Sequence, residues 1–303
     1  MSKFRGILKQ SGIFSKLLLV VGFTCFFALL AVLVWTIITG GNASEIGSLK
    51  LLQLFQSIGL FILPPLVLAY LWNERPFSYL YLDKKTNLSN VGFIVLFMIV
   101  VIPFVNLLGD LNQQLVLPKS LAGLEAWMKT SESETAILTE KMLDVHNLQG
   151  LIFNIFLIAM IPALGEELFF RGTIQNVFRE WKGAVAAIWI TAFIFSAIHV
   201  QFYGFIPRFL LGAFFGYLLV WNGNLWLTII AHFTNNVIAV IFYYLKNNGY
   251  QIIDIDKIGT GNTLWIGCVS GLLAFVGVIL IKKRLQKLNV NDSVSDNENK
   301  IHL

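Results

Sequence analysis

Ile161-Pro162-Ala163-Leu164-Gly165-Glu166-Glu167-Leu168-Phe169-Phe170-Arg171 decides how this chain is read. Two acids and a base stand in or beside an apolar run long enough to cross a bilayer. An ionisable side chain at that depth costs at least roughly 2.5–3.5 kcal/mol on insertion scales. It persists where it faces a partner, a wet cavity or a substrate. Neighbouring helical residues point about 100° apart, so the two glutamates have different jobs. Glu167 and Arg171 are four apart with the acid first, the favoured order for a helical ion pair. Glu167 is therefore assigned to Arg171, and Glu166 to the interior. The plainer alternative is a solvated helix end, and the apolar Leu168, Phe169 and Phe170 argue against it. Pro162 removes a backbone hydrogen bond and is expected to splay the helix just before Glu166.

Two further polar groups lie in apolar stretches at the same spacing. Phe195 and His199 share one helical face, and His232 and Asn236 share another. Taken singly, each has a structural reading: transmembrane helices use His and Asn as interhelical glue. Together they bring an acid, two imidazoles and an amide onto three separate apolar segments. The other histidines, His146 and His302, fall in a loop and in the tail.

The rest of the chain fits a membrane setting. Its 303 residues are 56% hydrophobic and 13% charged, with mean hydropathy +0.73, well outside soluble composition. The net charge of +5 gathers at span ends and is not a nucleic-acid signature. Cys25 and Cys268 both lie in apolar runs, so neither a structural disulfide nor a Cys-x-x-Cys metal site is expected.

Apolar length predicts an all-α polytopic fold of about eight transmembrane helices around an intramembrane polar cavity, near 17–39, 53–72, 90–108, 150–170, 184–200, 206–221, 225–245 and 263–281. These form a single transmembrane domain over 1–287, with the motif-bearing core at about 150–245. A polar, disordered tail is expected at 288–303. Segment 120–145 mixes apolar and charged residues and reads as an amphipathic surface helix or a partly helical loop. Lys and Arg cluster before the first span, between the second and third, after the fourth (Arg171, Arg179, Lys182) and after the eighth, whereas loop 109–149 is net acidic. Both termini are thus expected in the cytoplasm, in the plasma membrane. The fourth and fifth helices make a hairpin with its tip near Lys182–Gly183, which puts Glu166 and His199 at similar depth. His232 matches that depth only if the Arg171–Lys182 stretch projects beyond the membrane or the helices tilt.

A carboxylate beside an imidazole can deprotonate water, and a second imidazole with an amide can hold the oxyanion of a tetrahedral intermediate. Alternatively Glu166, His199 and His232 can ligate zinc, a known His₂Glu set, although the His-Glu-x-x-His signature is absent.

The motifs Glu-Glu-x-x-x-Arg, Phe-x-x-x-His and His-x-x-x-Asn, in this order on separate apolar helices, resemble the CPBP family. That family comprises type II CAAX prenyl endopeptidases and bacteriocin-processing or Abi-type intramembrane proteases. The resemblance implies an eight-helix glutamic endopeptidase that works without metal. It implies Glu166 as general base paired with His199, and His232 with Asn236 as the oxyanion site. Glu167, Arg171 and Phe195 would be supporting residues. The implied partners are the lipid bilayer and a peptide or lipidated-protein substrate entering laterally or from the cytoplasmic face. Nothing in the sequence sets the oligomeric state. A non-catalytic membrane immunity or scaffold protein of the same fold is the alternative, and a proton-coupled transporter a further one. No repeated half-structure supports transport.

Overall fold

The structure, a computed structural model, describes residues 4–250 and 254–301, with side chains as far as Lys287. Among the described residues every regular element is helical and no strand forms. The principal helices are α1 (Ile13–Thr39), α2 (Ile46–Trp72), α3 (Leu88–Val100), α4 (Ile102–Gln113), α5 (Ala122–Leu143), α6 (Leu148–Ala197), α7 (Phe205–Asn222), α8 (Leu225–Asn247) and α9 (Leu264–Ile301). Among the described residues six helices are long and apolar enough to span a membrane, or seven if the pair α3 and α4, bent by 41°, is one span.

Counted as crossings they come to about eight, as expected, because one of the six long helices is a hairpin and the bent pair adds one more. The fourth and fifth spans run as one 50-residue helical stretch, α6. A straight rod of that length would measure about 75 Å, against about 30 Å of hydrocarbon. Gly183, at φ 79° and ψ 173°, breaks it without an intervening loop. The chain folds back there, because Phe170 and Phe195 meet edge to face at 5.1 Å. The tip falls where the sequence puts it. Arg171, counted among the charges after the fourth span, is not a loop charge. The helix continues past it, and its side chain is fully buried.

Prolines and polar caps explain the local shapes. Pro103 near the start of α4 lacks an N–H, and the bend between α3 and α4 falls there. Pro64–Pro65 in α2 and Pro162 in α6 each follow a wide π-turn, at Ile58–Ile62 and Ile155–Met160. A third π-turn covers Glu167–Ile174. Such insertions re-aim side chains and gather at functional sites. Gly223 closes α7 in the left-handed region at φ 59°, and Asn224 caps α8 through Trp226 N at 2.9 Å.

Apolar surface remains outside as lipid-facing side chains, among them Phe14, Leu29, Ile37, Leu272 and Phe275. Segment 120–145 is helical: α5 leaves most of its length exposed, buries Met142 and Leu143, and sets Trp127 against Phe202 at 5.8 Å. α9 continues into the stretch expected to be a disordered tail, and the side chains there lie outside the described residues.

Candidate active site

Close helix approach comes first, because it aims the polar groups. Gly212 and Gly216, one turn apart on α7, leave their carbonyls open to α6. Arg171 Nη2 donates to Gly212 O at 2.9 Å, and Gln175 Nε2 donates to Gly216 O at 3.2 Å. The four-residue spacing on one helix thus meets the same spacing on the other. An added Cβ at Gly212 would stand 3.1 Å from the Phe195 ring. Gly165 serves the same end toward α2, where its Cβ would lie 3.0 Å from Phe61 Cβ.

Below the cavity sits a dry polar layer. Glu167 and Arg171 are both fully buried, with Glu167 Oε1 accepting from Arg171 Nη1 at 2.9 Å. The guanidinium lies over the Phe195 ring at 4.6 Å and the Phe215 ring at 5.4 Å. A delocalised, weakly hydrated cation suits such aromatic faces. The same Oε1 accepts from His232 Nδ1 at 2.9 Å. That bond fixes the proton on Nδ1 and turns Nε2 toward Glu166, whose Oε2 is 3.8 Å away. The His232 ring stacks on Phe215 at 5.3 Å with an interplanar angle of 24°.

His232 takes its orientation from α6. The orienting group is Glu167, because an ionised carboxylate is the stronger acceptor and the helix places it against Nδ1. Asn236 Oδ1 instead accepts from Asn235 Nδ2 at 3.4 Å. His199 is held by its own helix: Nδ1 lies 2.7 Å from Phe195 O. A carbonyl only accepts, so Nδ1 carries the proton and Nε2 is free in the neutral ring. Phe195 touches both imidazoles edge-on, His199 at 5.1 Å and His232 at 6.0 Å.

Above this layer opens a cavity of about 550 Å³. Glu166, His199, His232 and Asn236 all line it. The resemblance pairs Glu166 with His199; the imidazole within 4 Å of Glu166 is that of His232, and His199 shares the cavity with no such contact. Among the described residues no three His, Cys, Asp or Glu side chains converge to hold a metal ion.

Sequence reasoning missed Arg208, on the cavity wall. Its Nη2 donates to Gln201 Oε1 at 2.6 Å and its Nη1 to Gln201 O at 3.3 Å, and the group packs against Gly204. The signal was present: an arginine three residues into an apolar helix is an intramembrane charge. Gln53 and Gln56 of α2 also line the cavity, and Gln53 Oε1 is buried without a partner.

A bundle of long apolar helices around a cavity that gathers Glu166, His199, His232 and Asn236 defines a polytopic membrane protein. Residues 148–238, the segment that carries all three motifs, match the Rce1-like family, described as type II CAAX prenyl endopeptidase Rce1-like. This agrees with the resemblance read from the motifs and supports a CAAX-type endopeptidase at the level of the family. The family description names prenyl endopeptidases and makes no mention of bacteriocin immunity. No curated protein and no solved structure matches the chain.

Proposed function

We propose that this chain is an intramembrane glutamic endopeptidase. The observation that carries the reading is the convergence of Glu166, His199, His232 and Asn236 on one cavity. Glu166 takes a proton from a water held between its carboxylate and the imidazoles. The resulting hydroxide forms a bond to the carbonyl carbon of the peptide. The negative oxygen is received by the Asn236 amide and by His232 Nε2–H, in a ring that takes its second proton from solvent before the substrate binds and keeps it through the cycle. Collapse breaks the C–N bond, and the proton held by Glu166 passes to the leaving amine. One water is consumed, and an acid and an amine are released. General-base action of this kind contributes roughly 10²–10⁴-fold, and each oxyanion donor about 10²–10³-fold. Glu167 and Arg171 act as positioning residues: they hold the imidazole of His232 and never meet the substrate. Phe195 packs the two rings apart. The substrate is a peptide or a lipidated, CAAX-like protein, the setting is the plasma membrane, and both termini lie in the cytoplasm. No step requires a metal.

The test uses the full chain purified in detergent, with quenched peptides or the host's own membrane fraction as probe. Glu166→Gln, His199→Ala and His232→Ala are each expected to lose cleavage while keeping the wild-type helical signal and elution volume. Wild-type rates in Glu166→Gln would end the glutamic reading.

A further inference from the structure

Hydrogen bonds between distant segments sort the loops onto two faces. On one face the N-terminal segment joins the end of α2, with Gly6 N donating to Tyr70 O and Leu8 N to Leu71 O. Asn176 Nδ2 donates to Tyr79 O, Leu225 N to Tyr81 O, and Asn224 Nδ2 to Lys84 O. Arg284 of α9 reaches Asn90 at 2.8 Å. This face therefore holds the N-terminal segment, residues 73–87, the Gly183 tip, the α7–α8 turn and the end of the α9 span.

The other loops bind one another just as clearly. Asn112 Nδ2 donates to Phe202 O, and Asn112 Oδ1 accepts from Ile206 N. Asn106 Nδ2 donates to Ile255 O and Ile258 O, Asn248 Nδ2 to Val145 O, and Asn154 Nδ2 to Met142 O. α5, the α6–α7 turn and the segment after α8 thus share the second face.

The cavity belongs to that second face. Its wall includes Thr139 and Leu143 of α5, Ile198 and His199 at the α6–α7 turn, Arg208 near the start of α7, and Tyr243 near the end of α8. The Glu167–Arg171 layer closes it from the first face. Charge distinguishes the faces. The first carries Lys9, Arg75, Lys84, Arg179, Lys182 and Lys283 among its cations, with few acids. The second has no Lys or Arg in 40–45 or 198–204, and its α5 is acidic through Glu125, Glu132, Glu134 and Glu140. Short loops rich in Lys and Arg stay in the cytoplasm.

We propose that the cavity opens away from the cytoplasm, and that its substrate is a polypeptide segment presented on the extracytoplasmic side. This rests on the protease reading above, narrows its substrate class, and replaces the expectation of entry from the cytoplasmic face. A soluble cytosolic protein tail could not reach Glu166 except through the buried layer. An exported peptide, or the extracytoplasmic flank of another membrane protein, reaches it directly.

Two measurements test this with the full chain. In a Cys25→Ser, Cys268→Ser background that retains cleavage in detergent, single cysteines are placed by Glu134→Cys on α5 and Lys85→Cys on the basic face. A membrane-impermeant maleimide added to intact cells is expected to label position 134, and to label position 85 only after permeabilisation. Fluorogenic peptides are then added to right-side-out and inside-out vesicles. Glu166-dependent cleavage is expected from right-side-out vesicles and lost from sealed inside-out ones. Labelling of position 85 in intact cells, or cleavage confined to inside-out vesicles, overturns the proposal. Absence of cleavage even in detergent overturns the protease reading and the substrate assignment with it, and the labelling result tells that failure apart from an inverted chain.

Discussion

Glu167→Gln is the sharpest probe of the buried layer. Glu167 Oε1 is the one atom on which Arg171 Nη1 and His232 Nδ1 both converge, each at 2.9 Å. Glutamine keeps the shape and one acceptor oxygen but deletes the negative charge. Arg171 is then a buried cation whose remaining partners are the Gly212 carbonyl and aromatic faces. Removing one member of a buried pair costs about 3–5 kcal/mol. The retained amide oxygen puts the expectation at the lower end, about 3 kcal/mol, or roughly a hundred-fold in the unfolding equilibrium at about 1.4 kcal/mol per decade. Arg171→Met is expected to cost less. An orphaned carboxylate can bind a proton, whereas a guanidinium cannot shed one. The double variant is expected to be less damaged than the sum of the singles, since the two share a contact. Reversible unfolding in mixed detergent micelles, followed by tryptophan fluorescence, measures all three. A Glu167→Gln protein within about 0.5 kcal/mol of wild type, the range of an ordinary surface change, would refute the charged layer. So would an Arg171→Met protein that is the weaker of the two.

Other outcomes can be checked more simply. Asn236→Ala is expected to lower turnover by about 10²–10³-fold with little effect on stability; unchanged turnover would remove the amide from the oxyanion site. Gly59→Ala puts a Cβ 2.6 Å from Phe27 O and 2.9 Å from Ala31 Cβ. It should force α1 from α2 and lower stability by about 1–3 kcal/mol, measured by the same unfolding titration. Dialysis against a chelator is expected to leave cleavage intact. Activity that is lost and then restored by added zinc would contradict the mechanism proposed above.

Much of this was legible in the chain. Apolar length placed the spans, and the helical period separated the roles of Glu166 and Glu167 before any contact was known. The ion pair at Glu167–Arg171 and the tip at Gly183 follow from local rules of spacing and backbone freedom. The misses are all non-local. Sequence periodicity on α8 offers His232 only the neighbours of its own face, such as Asn236. The true partner comes from α6 across the bundle. Arg208 passed unnoticed because its meaning depends on which helix face meets the cavity. Glu167 of α6 and His232 of α8 do meet, at 2.9 Å. The part of α6 before Gly183 runs to roughly 50 Å at 1.5 Å per residue, longer than a hydrocarbon core of about 30 Å, and this length lets Glu167 and His232 meet.

A membrane enzyme that admits water to mid-depth also thins the barrier that holds the cell's ion gradients. Here the fully buried carboxylate and guanidinium, with phenylalanine rings above and beside them, occupy the level where a leak would start. Glu167 Oε1 is engaged with His232 and Arg171, and Arg171 Nη2 with Gly212, while Glu167 Oε2 and Arg171 Nε are buried without a partner. The same atoms that aim an imidazole thus form a packed septum between the cavity and the opposite face of the bundle.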